Sequence, residues 1–168
     1  MPLFLPPLGR AVVTRRMCFV LYPGFQVLDV AGPLAAFEVA SLYLSGAYDV
    51  RFVSSSAQEV TSSVGVAWRA QSLRASRGTH TLITVGSNSI WPERVDPKLV
   101  GFLRREARRC SRVASVCSGA FLLAAAGLLD GKRATTHWAC AAELKRRYPA
   151  VQVEPDRIWV REGNIWTS

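Results

Sequence analysis

Two histidines and four cysteines are all that 168 residues offer in the way of soft metal ligands, and no two cysteines form a C-x-x-C pair. With cysteines at 18, 110, 117 and 140 and histidines only at 80 and 137, the spacing supports no structural zinc site, and no cofactor is implied. Without a disulfide framework the thiols are expected to be reduced, which predicts a cytoplasmic protein. No secretory leader is expected: Met1 to Gly9 is apolar but carries three prolines and no small-residue cleavage site. Arg15-Arg16 is followed by an apolar run that breaks at Pro23-Gly24, which excludes a twin-arginine signal. The run Val113 to Leu129 is interrupted by Ser115, Cys117 and Ser118, so it reads as a strand plus a helix rather than a membrane span. Repeats and low-complexity blocks are absent. Residues 1–16 are expected to form a disordered tail and residues 17–168 a single domain.

Acidic residues are scarce as well, 12 against 21 lysines and arginines, for a net charge of +9. Such a balance draws phosphate. The clusters Arg104, Arg105, Arg108, Arg109, Arg112 and Lys145-Arg146-Arg147, however, have the spacing of solvent faces and ends of amphipathic helices. A solvated face is therefore expected rather than a DNA-binding stripe, and no helix-turn-helix pattern is present in the chain.

What is present is an alternation of short apolar runs and helical patterns. Strands are expected at Met17 to Tyr22, Asp49 to Val53, Leu82 to Val85, Arg112 to Val116, Arg133 to Thr136, Val151 to Val153, Arg157 to Val160 and Ile165 to Thr167, with a small excursion of strands from Val60 to Trp68. Helices are expected to open at Gly32-Pro33, with Leu34, Phe37, Val39 and Leu42 facing the core, at Asp96-Pro97, at Ala120 and at Ala139. This order is that of an α/β fold with a doubly wound, mostly parallel sheet and helices on both faces. Ligands bind such sheets at the carboxyl ends of the strands, where Asp29, Gly86 and Cys117 fall. The chain stops at Ser168 directly after a strand pattern, so the domain is expected to be incomplete there.

Ser115-Val116-Cys117-Ser118-Gly119 delivers a cysteine from a buried strand to a sharp strand-to-helix turn. The residues two before and two after the nucleophile of such an elbow must be small, and Ser115 and Gly119 fit. A thiol of ordinary pKa, about 8.5, is a weak nucleophile at neutral pH, and a helix N-terminus brings it only to about 7 or 8. A second group is required for full activation. His137 is one candidate, either as base or imidazolium partner, with capping of its own helix as the alternative. Asp29 is another; ionised, it raises the thiol pKa, and protonated, it donates to a thiolate. On this reading Cys117 is the most acidic of the four thiols. Cys18 and Cys140 are apolar fillers, and Cys110 stands out among flanking arginines.

Three segments together resemble the ThiJ/PfpI superfamily: Tyr22-Pro23-Gly24-Phe25-Gln26-Val27-Leu28-Asp29-Val30-Ala31-Gly32-Pro33, Ser115 to Phe121, and Gly127 to Trp138 with its Thr135-Thr136-His137-Trp138 run. The resemblance covers about residues 17 to 168 and implies the class I glutamine-amidotransferase-like, flavodoxin-like fold. Tyr148-Pro149, Val153 to Ile158 and Asn164 to Ser168 are similar to the sensor half of GlxA-like AraC-type regulators. The resemblance thus implies a ligand-sensing domain, a homodimer, and DNA binding only through a C-terminal helix-turn-helix domain that this chain lacks. Its site carries over to Cys117, Asp29 and His137 as catalytic or reactive residues, and to Gly86, Ser87, Ser118 and Gly119 around the ligand. Where the family has Gly-Gly, this chain has Gly86-Ser87, which puts an oxyanion hole from that loop in doubt. Isonitrile hydratase shares the same residues and implies the alternative, a cysteine-dependent hydro-lyase.

Overall fold

The protein is described by a computed structural model covering residues 13–56, 58–88 and 96–168. Strand β1, Arg15–Val20, is followed by helix α1, Val27–Tyr43, and strand β2, Tyr48–Ser54. The hairpin β3, Glu59–Thr61, and β4, Ala67–Arg69, precedes β5, Gln71–Ser72, and β6, Thr81–Thr84. Helix α2, Pro97–Ala107, leads into β7, Arg112–Ser115, and α3, Ala120–Ala125. The last third holds β8, Arg133–Ala134; α4, Ala141–Arg147; β9, Gln152–Val153; β10, Val160–Glu162; and β11, Ile165–Thr167.

Seven of these strands form one sheet in the order β10-β11-β7-β6-β1-β2-β5, parallel throughout except for the β10–β11 hairpin. Alternate residues of β1 enter opposite cores, Cys18 and Val20 on one face, Met17 and Phe19 on the other. That division explains its unbroken apolar run, since a central parallel strand is covered on both sides. Leu99, Phe102 and Leu103 of α2, Leu122 and Leu123 of α3 and Leu144 of α4 fill the first core. Val30 and Phe37 of α1 close the second, with Val60 and Trp68 of the small hairpin. The doubly wound α/β arrangement expected from the sequence is the one observed.

Several boundaries differ from the sequence reading. β1 begins at Arg15, paired with Tyr48 of β2, two residues before the expected start. The tail expected before it lies, up to residue 12, outside the described residues. α1 starts at Val27 rather than at Gly32-Pro33, so Pro33 sits inside the helix. Its entry is fixed by the Gln26 amide donating to the Gly86 carbonyl at 2.9 Å, a contact with no local sequence signal. Val39 and Leu42, expected in the core, are 52% and 72% exposed. α1 is apolar around most of its circumference, so pattern alone could not orient it.

α3 is shorter than expected. It ends at Ala125 because Gly127 adopts a positive φ and closes a Schellman motif, with Leu128 N–H donating to Leu123 C=O and Gly127 N–H to Ala124 C=O. The expected strand Arg133 to Thr136 shrinks to β8, which pairs with β9 in a separate two-stranded sheet. A 3-10 turn, Trp138–Cys140, replaces the first turn of the last helix. The strand expected at Arg157 to Val160 forms instead at β10, because Gly163, at φ 62°, fixes the hairpin register to Glu162↔Ile165. Asp96 caps α2 as predicted, its side chain accepting from Lys98 N–H at 2.8 Å with Pro97 at the first position.

Candidate functional site

β1, β6 and β7 bring three loops together at their carboxyl ends. Cys117 follows β7 at φ 56°, the only non-glycine residue with positive φ among those described. Strain of this kind is retained where the surroundings over-determine it. The determinant is close packing: a Cβ built on Gly119 would lie 2.5 Å from the Thr84 carbonyl oxygen, and Thr84 Oγ1 donates to the Gly119 carbonyl at 3.1 Å. The small residue required two positions after the cysteine therefore meets backbone of β6.

Asp29, in the first turn of α1, is 8% exposed and accepts a hydrogen bond from Gly86 N–H at 2.8 Å. Ser118 Oγ donates to the Ser87 carbonyl at 2.9 Å and accepts from Ser87 N–H at 2.9 Å, clamping the loop after β6 onto the elbow. Both loop amides are thus committed, and the backbone oxyanion hole contemplated for Gly86-Ser87 is not open. A Cβ on Gly86 would come within 2.6 Å of Asp29 Oδ2 and 2.8 Å of Ser118 N, so only glycine fits.

The electrostatics correct the sequence reading of Cys117. Burial first, then the Asp29 carboxylate, push its thiol above the ordinary value, against a hydrogen bond from the Ser118 amide. The helix that was to lower it is a three-residue 3-10 turn followed by the six residues of α3, too short for much macrodipole. Burial likewise raises Asp29, opposed by the Gly86 amide, by a hydrogen bond with Cys117 and by His137. His137 Nδ1 accepts from Ala139 N–H at 3.2 Å, capping the next turn, and the neighbouring Thr136 Oγ1 donates to the Cys117 carbonyl at 2.8 Å. Of the two roles open to this histidine, the structure shows the cap.

Cys117, Ser87, Ser118 and His137 line a cavity of about 290 Å³, completed by residues that sequence spacing did not reveal. These are Gln26, Asn88, Phe121, Ala139, Cys140 and Glu143. Gly86 and Gly119 are not among the lining residues; they allow the close approaches behind it. Neither lysine nor arginine lines the cavity among the described residues. Glu143 stands at its edge, its carboxyl held down at about 2 by Arg146 and Arg147. Tyr22, which the sequence reading passed over, is half-buried near Asp29 and Cys117 with its hydroxyl donating to the Val85 carbonyl at 2.7 Å, and desolvation followed by those two groups raises its pKa. No group of three or more histidine, cysteine, aspartate or glutamate residues able to hold a metal occurs among the described residues.

Cys18 and Cys140 pack into the first core as expected of apolar fillers, whereas Cys110 departs from expectation. Cys110, beside its arginines, is pushed up to about 12 by burial and by Glu106, and Cys18 reaches about 12 mainly through burial. Cys140 is raised by burial and Glu143. Iodoacetamide at about pH 8 is therefore expected to modify Cys117 and Cys140 in the folded protein and to spare Cys18 and Cys110. Peptide mass mapping reads the result, and labelling of Cys18 before unfolding would overturn it.

Comparison with known proteins finds the DJ-1/PfpI family model matching residues 15–168. An uncharacterized protein in the cpoL 5′ region of Streptomyces lividans is 40% identical over 137 residues, 81% of this chain and 96% of that one. Isonitrile hydratase of Pseudomonas putida is 37% identical over 151 residues, covering 89% of this chain and 63% of the hydratase. The HTH-type transcriptional regulator GlxA of Rhizobium meliloti is 30% identical over 158 residues, 91% of this chain and 48% of the regulator. The chain therefore spans less than two thirds of the hydratase and about half of the regulator. Among solved structures, a ThiJ/PfpI family protein from Pseudomonas syringae superposes with a TM-score of 0.81 at 28% identity, over 99% of this chain and 69% of that one.

Proposed function

From a chain that belongs to the DJ-1/PfpI family, we propose that residues 17–168 act as a ligand-sensing domain of an AraC-type transcriptional regulator. The cavity at Cys117 takes the ligand, and DNA is left to a separate domain. Similarity to GlxA supports the regulator assignment. The observation that supports sensing over turnover is the setting of the cysteine: burial and the Asp29 carboxylate push its thiol above the ordinary value, and His137 Nδ1 caps the next turn. A cysteine without an activating base binds or reports more readily than it attacks.

The lining narrows the ligand class. Gln26, Asn88, Ser87 and Ser118 supply hydrogen bonds, and the one carboxylate of the lining, Glu143, is already paired with Arg146 and Arg147. A small neutral polar molecule fits, of a size suited to a cavity near the lower end of the usual range of about 300–1,000 Å³. The domain is assigned to the cytoplasm and to a homodimer. The outer stripe of α1, with Leu28, Val39, Leu42 and Tyr43 exposed, supports the dimer, because α1 carries no lysine or arginine and two copies of a chain with charge +9 meet there with least repulsion.

A specific observation favours a second reading, hydration of isonitriles: Asp29 and Cys117 stand close enough for each to shift the other's pKa. In that reaction Asp29 takes the thiol proton as the sulfur adds to the isonitrile carbon and passes it to the same carbon, giving a thioimidate. Water then adds to it, and departure of the thiol leaves an N-substituted formamide. One assay separates the two readings. With an alkyl isonitrile, the wild-type chain is expected to form no more formamide than Cys117→Ser; turnover lost in Cys117→Ser would overturn the sensor reading. The reading frame after Ser168 gives a second check, since the sensor reading expects a helix-turn-helix pattern within the next domain length.

A further inference from the structure

Four arginines of this chain gather at the end of the sheet opposite Cys117. A cavity of about 650 Å³ opens there between two walls, beside the start of β6. One wall is the 3-10 turn Leu73–Ser76 with Arg77 after it; the other is the second half of α2 and the residues just beyond it. Arg74 and Arg77 line the first wall, and Arg105 and Arg109, one helical turn apart, line the second. Among the described residues none of these four has a carboxylate within ion-pair distance, whereas Arg16, Arg51, Arg133 and Arg157 all do.

Basic residues near the end of a helix complement its dipole, which accounts for Arg105. That explanation does not extend to Arg74 and Arg77 on the facing wall. Like charges gathered across a cleft repel one another, and Glu106 is the single carboxylate in the lining against four guanidiniums.

We propose that this cavity is a binding site for a compact anion carrying two linked phosphate groups, held between Arg74 and Arg77 on one side and Arg105 and Arg109 on the other. Guanidinium forks match phosphate oxygens bidentately, and two opposed pairs suit two adjacent phosphates better than one carboxylate. The volume lies in the range of small-molecule pockets. A nucleic-acid backbone would instead draw on a stripe running along one face. The site shares no residue with the cavity at Cys117 and stands or falls independently of the function proposed for it.

Calorimetric titration of the full chain with inorganic pyrophosphate tests the assignment. One equivalent is expected to bind, more weakly as salt is raised, and the variant Arg77→Gln/Arg109→Gln is expected to lose at least about tenfold in affinity. Arg133→Gln, whose guanidinium is already engaged by Glu154 and Glu162, is expected to bind like the wild type. No binding, several equivalents, or an affinity unchanged in the double variant overturns the site. A short duplex oligonucleotide bound more tightly than pyrophosphate, and lost in the same variant, overturns the small-molecule assignment in favour of a nucleic-acid surface. Thermal melts of both variants in buffer establish that any loss is not a failure to fold.

Discussion

Gly119→Ala is expected to destabilise the protein by about 3 kcal/mol and to lower its melting temperature by about 6–12 °C. An alanine Cβ at this position would stand 2.5 Å from the Thr84 carbonyl oxygen, 2.9 Å from its carbonyl carbon and 3.0 Å from that of Val85. All three are backbone atoms, and Thr84 belongs to β6, which is hydrogen-bonded to β1 on one side and β7 on the other. No side chain can swing away to relieve the contact, so the elbow or the centre of the sheet must move. Gly101→Ala on α2 is the control: nothing lies within 4 Å of the added methyl, and loss of glycine's backbone freedom is expected to stabilise the helix by about 0.5–1 kcal/mol. Thermal melts of the two variants read the contrast. A Gly119→Ala protein within 1 kcal/mol of wild type would falsify the close-packed elbow.

The same elbow shows how far local sequence carries. Cys117 and its small neighbours are contiguous in the chain, so a strand, a strained turn and a helix could be read from seven residues, and the φ of 56° agrees. The alternation of β1 between two cores was legible for the same reason, because burial on both faces leaves an uninterrupted apolar run. What escaped was set by distant partners. The start of α1 depends on the Gly86 carbonyl taking the Gln26 amide, and Gln26 provides no side-chain cap that would announce a helix. Pro33 is a local start signal that tertiary packing overrides. Glu143, Cys140 and Phe121 reach the cavity from α4, the 3-10 turn before it and α3, and no spacing in the sequence announces their meeting. The thiol's pKa was misjudged because a helix pattern supplies a dipole on paper, whereas burial and a nearby carboxylate are properties of the folded site.

Those two influences meet at Asp29, where Asp29→Asn is expected to raise both stability and thiol reactivity. The carboxyl ionises near 3.8 when unperturbed and higher in the folded chain, with burial as the main cause. A raised folded pKa contributes stability that is fully present below the unperturbed value and is lost as the pH rises through the folded one. At a pH above both values the carboxylate is therefore a net burden on folding. Asparagine keeps an oxygen to accept from Gly86 N–H but has no charge to desolvate. Relief of a strained site of this kind is worth about 0.5–2 kcal/mol, a gain of a few degrees in melting temperature, and the gain is expected to vanish as the pH is lowered to about 4. Because the carboxylate is the second cause that raises the Cys117 thiol, its removal is also expected to speed alkylation of Cys117 near neutral pH. If the protein turns over isonitriles, the same change removes the proton donor and cuts the rate by about 10²–10⁴-fold while the thiol becomes more reactive. Loss of turnover with a gain in stability and alkylation would then mark Asp29 as a group kept for chemistry. Lower stability at pH 7 together with slower alkylation would show instead that its hydrogen bonds to Gly86 and Cys117 outweigh its charge.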